Sequence, residues 1–215
     1  MDEIVTLISN FKTDLTSEDD LPRLVNKHVS FGTPYIFKDN EELYFELKSE
    51  IASFFSEGQS HPLSPTKVIM VGSSKLGFSI SPRHLWREIR EDSDIDMVVI
   101  SDQIFDFFWK DLLDFNIEIT PRTLAEQNLY SDFLEYLFQG WLRPDKFPFQ
   151  YDNKSRWFEF FKKISYNKYD NRKVTCALYR DEEFFKKYHI QNFLRIKQRI
   201  EAEQKMTRAA DQTGE

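Results

Sequence analysis

Two aspartates one residue apart, Asp94 and Asp96, open the run Asp94-Ile95-Asp96-Met97-Val98-Val99-Ile100. The apolar residues that follow read as a buried strand, and side chains two apart along a strand project to the same side. Both carboxylates therefore point together from the mouth of that strand. Carboxylates so close repel each other unless a cation lies between them. Mg²⁺ accepts such a pair together with phosphate oxygens, at about 2.1 Å in an octahedral shell. Upstream, Val68-Ile69-Met70-Val71 stops abruptly at Gly72-Ser73. A glycine there lets the backbone turn off the strand and approach a phosphate closely. Ser73 and Ser74 offer hydroxyls, and Lys75 offers a charge to a triphosphate. Asp-x-Asp also occurs in plain turns, and Gly-Ser in plain loops. What sets these apart is that each borders an apolar run, where unpaired carboxylates are costly. The chain has neither a Walker A loop nor a Gly-x-Gly-x-x-Gly turn.

A strand ending in Gly72-Ser73, followed by a strand opening Asp94-x-Asp96, resembles the signature of the polymerase-β-like nucleotidyltransferases. That superfamily includes minimal nucleotidyltransferases, antibiotic adenylyltransferases, tRNA-tailing enzymes and bacterial anti-phage signalling synthases. The resemblance covers Val68 to about Arg122. It implies a third acidic residue on a neighbouring strand, between apolar residues, and Ile117-Glu118-Ile119 is the best match. Glu118 would then act as general base toward the attacking hydroxyl or as ligand to a second ion. Asp170 competes for that role, but it precedes a late strand, 174–179, that contains no acid. The family's usual gap between Gly-Ser and the first aspartate is shorter, so residues 81–90 are an insert. The segments VGSSKLGFSI and SDIDMVVIS look similar to stand-alone nucleotidyltransferases of bacterial defence and toxin-like loci, including the Hailong type, which is associated with DNA oligomers.

By this resemblance the chain is expected to be a Mg²⁺-dependent nucleotidyltransferase, with Mn²⁺ as a substitute. It would move a nucleoside monophosphate from an NTP or dNTP to a hydroxyl. Asp94, Asp96 and Glu118 would be catalytic, with the two aspartates holding metal; Gly72, Ser73, Ser74 and Lys75 would bind nucleotide. The resemblance also implies a nucleic-acid acceptor or product, and a partner protein from the same locus. Three other readings stay open: a toxin that nucleotidylates tRNA or protein, a small-molecule adenylyltransferase, and a degenerate nucleotide sensor or partner-binding subunit.

The bulk composition bounds the class of protein. Phe alone accounts for 21 of 215 residues, which marks a packed globular chain. A single cysteine, Cys176, excludes a disulfide framework and suits a reducing cytosol. The N-terminal run MDEIVTLISNFK lacks the basic and long apolar regions of a secretory signal, and no apolar run approaches the ~20 residues of a membrane-spanning helix. A soluble, cytoplasmic protein with no membrane contact is expected. The four histidines have no metal-ligand spacing, which argues against zinc. The net charge of −7 argues against a general nucleic-acid coat. Residues 151–200 nevertheless carry 13 Lys and Arg against 6 Asp and Glu, so basic charge is concentrated where phosphates could be received.

The positioning elements follow from periodicity. Helices are expected over 1–20, 21–28, 41–55 with Asn40 as cap, 104–115, 123–138, 154–164 and 181–205. Strands are expected at 68–71, 94–100, 117–119 and 174–179, with 141–149 a loop and 82–90 an exposed helical turn. The prediction is an α/β (α+β) fold with a small mixed β-sheet and flanking helices. It forms one domain over 1–200, with its core at 65–180, flanking helices at 1–57 and 181–205, and a frayed tail at 206–215.

Overall fold

The computed structural model describes residues 3–57, 62–117, 123–166 and 168–213. Its centre is a four-stranded mixed sheet: β1 (Val68–Val71), β2 (Ile95–Ile100), β3 (Trp141–Leu142) and β4 (Val174–Tyr179), in spatial order β1-β2-β4-β3. β1 runs antiparallel to β2, with Val71 opposite Asp96. β4 runs parallel to β2, with Thr175 level with Asp96. β3 pairs antiparallel with the end of β4.

Eight α-helices are present among the described residues: α1 (Glu3–Ser17), α2 (Leu21–Val25), α3 (Glu41–Ser56), α4 (Gly72–Leu76), α5 (Asp102–Ile117), α6 (Leu124–Phe138), α7 (Asp152–Ile164) and α8 (Glu182–Thr213). They cover both faces of the sheet. Ile95, Met97 and Val99 of β2, with Val174, Cys176 and Leu178 of β4, pack on α3, α5, α6 and α7 through Leu47, Phe108, Phe133 and Trp157. Val98, Ile100, Ala177 and Tyr179 face the other way, onto Phe11 of α1, Val25 of α2 and Phe193 of α8. A strand buried on both faces reads as a continuous apolar run, which is why Met97 to Ile100 of β2 stands out in the sequence. Asp94 and Asp96 belong by alternation to the α1, α2 and α8 side.

Local signals set the helix starts. The Asn40 side chain accepts from the Leu43 backbone N–H at 3.1 Å. Thr123 and Glu126 form a reciprocal capping box at the start of α6.

Four expectations are corrected. Trp141–Leu142 is a strand, not loop; two residues followed by Pro144 are too short to show a period. Residues 82–90 form no helix. The chain there folds back on itself, with Ser79 N–H donating to Arg87 O and Trp86 N–H to Ser79 O, both at 2.8 Å. Between the central strands Gly72–Leu76 is helical. The last helix reaches Thr213 instead of ending near 205. The expected strand at 117–119 lies outside the described residues except for Ile117, which ends α5. β2 already has neighbours on both edges.

Candidate active site

Asp96 sits near the start of β2, half-buried, between β1 and β4. The Thr175 hydroxyl donates to its Oδ1 at 2.7 Å. Its other oxygen lies against the turn at Gly72. That glycine has φ +74°, and a Cβ there would stand 2.9 Å from Asp96 Oδ2. Glycine is thus needed twice at this position, for the left-handed backbone and for the approach of the carboxylate. Burial pushes the Asp96 carboxyl above its ordinary value. The Thr175 hydrogen bond and the charges of Arg143 and Lys173 pull it back, while the neighbouring Asp94 charge pushes it up.

Asp94 is exposed, one residue before β2. Its backbone is held on several sides. The buried Ser74 hydroxyl donates to Asp94 O at 2.6 Å, Arg172 donates to Ser93 O at 3.0 Å, and Ile95 N–H donates to Lys173 O at 2.8 Å. The backbone that carries both carboxylates is thus fixed at one mouth of the sheet, and of the two only Asp96 lines the cleft there.

Of the expected phosphate ligands, Gly72 and Ser73 line the same cleft as Asp96, and Ser73 is partly exposed to it. Ser74 and Lys75 do not. Ser74 is fully buried beneath Asp94. Lys75 is buried and donates through Nζ to the carbonyls of Phe31, at 2.5 Å, and of Gly32. Burial, and to a lesser extent the nearby Lys48 charge, pull its ammonium down to about 8. Lys75 thus ties the turn after α2 to the sheet. Glu118 lies outside the described residues; the residue level with Asp96 on the adjacent strand is Thr175. Among the described residues no group of three or more His, Cys, Asp or Glu could hold a metal ion. Asp94 and Asp96 alone make an oxygen donor pair, which suits Mg²⁺ or Mn²⁺ only if phosphate and water fill the remaining positions.

The cleft has a volume of about 600 Å³. One wall is the insert, through Ser79, Ile80, Ser81, Pro82 and Leu85. The other is α8, through Tyr188, His189, Asn192, Arg195 and Arg199. Tyr188, Asn192, Arg195 and Arg199 are spaced four, three and four residues apart, which places them along one helix face. Phe185, Phe193, Ile196 and Ile200 form the buried stripe beside them. Arg199 pairs with Glu203 at 3.0 Å, while Arg195 makes no ion pair among the described residues. His189 is buried with neither ring nitrogen hydrogen-bonded, and burial pulls it down to about 4. These α8 residues and Thr175 were not anticipated. The polar stripe carries a helical period that can be read in the sequence; the strand pairing that brings Thr175 to Asp96 cannot.

No family model, curated protein or solved structure matches the chain.

Phe78 and Tyr179 are core residues, and Cys176 is a buried thiol within β4. Arg180 lies at the far end of β4, 3.4 Å from Asp106. No helix among the described residues is long and apolar enough to cross a membrane.

Proposed function

We propose that the chain is a divalent-metal-dependent nucleotidyltransferase, which transfers NMP or dNMP from a nucleoside triphosphate to a hydroxyl. The observation that carries this reading is the position of Asp96. It lies against Gly72 and within the field of the Asp94 charge, at the edge of a cleft whose opposite wall bears Arg195 and Arg199. Carboxylates on one side and guanidinium groups on the other suit a metal-bound triphosphate. Asp94 and Asp96 would hold Mg²⁺ or Mn²⁺, which supplies charge neutralisation of the phosphates and acidifies the acceptor hydroxyl. Arg195 and Arg199 orient the phosphates, and the Ser73 hydroxyl adds a donor. The acceptor hydroxyl gives up its proton to solvent, its oxygen bonds to the α-phosphorus, the bridging P–O bond to the β-phosphate breaks with its electron pair going to the bridging oxygen, and pyrophosphate leaves. Catalysis of this kind is mainly positioning and electrostatics.

A second reading, a non-catalytic nucleotide sensor, draws support from Thr175, which stands where an adjacent strand would bring a third acid. The two are separated by incubating the protein with each α-labelled NTP and dNTP and Mg²⁺ or Mn²⁺, with and without RNA, DNA or protein. Labelled oligomers or nucleic acid support the first reading, and labelled protein selects the toxin-type alternative. Nucleotide that binds in the cleft and is never turned over selects the sensor.

A further inference from the structure

A cavity of about 370 Å³ lies beside the edge strand β1 and shares no lining residue with the Asp96 cleft. Lys67, just before β1, and Ile100, the last residue of β2, border it. Gly72 and Asp96 stand at the other ends of those strands. We infer that this cavity is a separate binding site for a small phosphate monoester.

The charge of the lining calls for a dianion. Three lysines border the cavity, Lys48, Lys67 and Lys186, against one carboxylate, Glu182. Lys67 and Lys186 share that carboxylate, at 3.1 and 3.7 Å. Lys48 is half-buried and makes no ion pair among the described residues; its ammonium lies 5.2 Å from the centre of the Tyr44 ring. The lining thus keeps a surplus of two positive charges. Burial pulls the Lys48 ammonium below its ordinary value, and its charge is felt by Lys75, whose Nζ is held by the carbonyls of Phe31 and Gly32 at the cavity wall. The protein itself does not cancel that charge. A phosphate monoester carries about −1.5 to −2 at pH 7, which matches the surplus.

The neutral donors point to the same ligand. Ser30 Oγ is buried and has no hydrogen-bond partner among the described residues, a costly state that a ligand oxygen relieves. Ser30 closes a π-helical turn, Asn26–Ser30, in which Phe31 N–H donates to Asn26 O at 3.0 Å. Such turns are rare and recur at functional sites. The Tyr44 hydroxyl accepts from Met70 N–H at 3.2 Å, which leaves its own proton to give. Donors therefore outnumber acceptors around the cavity, as an oxyanion with several lone pairs requires. The volume lies within the range of small-molecule sites and exceeds what a bare ion needs. Phe31, 67% exposed at the rim, offers a ring face to the body of the ester, above the apolar wall of Ile69 and Phe185.

The test is isothermal titration calorimetry of the full chain with phenyl phosphate and with inorganic phosphate, at fixed ionic strength and with EDTA present. Phenyl phosphate should bind, and more tightly than inorganic phosphate. Lys48→Met should weaken both about tenfold. Ser30→Ala should weaken both about fivefold while keeping the melting temperature of the wild type, since the hydroxyl it removes has no partner in the fold. Phe31→Ala should weaken phenyl phosphate alone, about fivefold. Arg195→Ala, in the other cleft, should change neither. Binding that follows Arg195 and ignores Lys48 overturns the placement. Equal affinity for the two probes, indifferent to Phe31, overturns the ester and makes free phosphate the ligand. No binding of either probe at millimolar concentration overturns the site. Nucleotide turnover, measured separately, bears on the Asp96 cleft alone.

Discussion

The Asp96 carboxylate lies so close over Gly72 that a methyl group on residue 72 would meet Oδ2 at 2.9 Å. Gly72→Ala must therefore move the carboxylate or the strand exit, on top of a φ that L residues resist at a cost of about 1–2 kcal/mol. The variant should fold with a reduced melting temperature and show little or no transfer. Thermal unfolding together with the labelled-nucleotide assay reads both effects. Full activity in a folded Gly72→Ala protein would detach the glycine turn from the chemistry.

Asp96→Asn tests the carboxylate itself, and it should raise stability while removing activity. Burial raises the folded-state value of Asp96, so the folded chain keeps a proton that the unfolded chain has already released. Stability is therefore lost as pH rises through that window, and stays lower at neutral pH. The amide does not ionise. Its melting temperature at pH 7 should exceed that of the wild type, with the gain fading below the ordinary carboxylate range. Transfer should fall by about a thousandfold. Mg²⁺ with NTP should raise the melting temperature of the wild type and not that of the variant.

Arg195 and Arg199 face the same cleft but differ in their partners. Arg199 is paired with Glu203, while Arg195 makes no ion pair among the described residues. Arg195→Ala should raise KM for the triphosphate about tenfold, the loss of one charge-assisted hydrogen bond. Arg199→Ala should do less. Equal effects would mean that the Arg199–Glu203 pair breaks when nucleotide binds.

Much of this architecture was legible because β1 is a short apolar run and β2 continues apolar from Met97 to Ile100 after Asp96, while β4, interrupted by Thr175, gives only a weak alternation. The Asp94-Asp96 pair and the Gly72 exit were legible for a related reason, since each marks where an apolar run meets the surface. What was not legible depends on pairing across long separations. Thr175 reaches Asp96 over 79 residues of sequence, and Lys75 reaches the Phe31 carbonyl over 44. A lysine after a glycine turn reads as a phosphate ligand until the two carbonyls that capture it are in place. In α8 the apolar stripe through Phe185 and Phe193 and the polar stripe through Asn192 and Arg195 lie side by side, so the sequence blurs them into one charged helix.

Lys75 gives a prediction of its own. Its ammonium titrates at about 8 in the folded chain, against 10.5 when unperturbed, because burial disfavours the charge. Between those values the unfolded chain carries the extra proton, so stability rises with pH across the window by about 3 kcal/mol. Lys75→Met should abolish that rise. Urea unfolding of both proteins at pH 7.5 and pH 10 measures the difference. A rise of equal size in the variant would assign it to other groups.

His189 carries the opposite slope. It is buried among Tyr179, Phe185 and Tyr188, with neither nitrogen hydrogen-bonded, and titrates at about 4. The folded chain resists a proton that the unfolded chain takes up near 6.5. Stability should therefore fall as pH drops from that value toward 4, by about 3 kcal/mol over the full window. His189→Leu removes the penalty and the unpaired polar atoms, so it should be more stable than the wild type at pH 7 by about 1–3 kcal/mol, and by more at pH 5. His189 also borders the cleft beside Asp96, but both of its ring nitrogens are buried away from that space. A ligand in the cleft therefore has no ring nitrogen to bond. His189→Leu should gain stability and keep its affinity for NTP, as read by urea unfolding and nucleotide titration on the same protein. A variant that gains stability and loses affinity would mean that the ring turns toward the bound nucleotide.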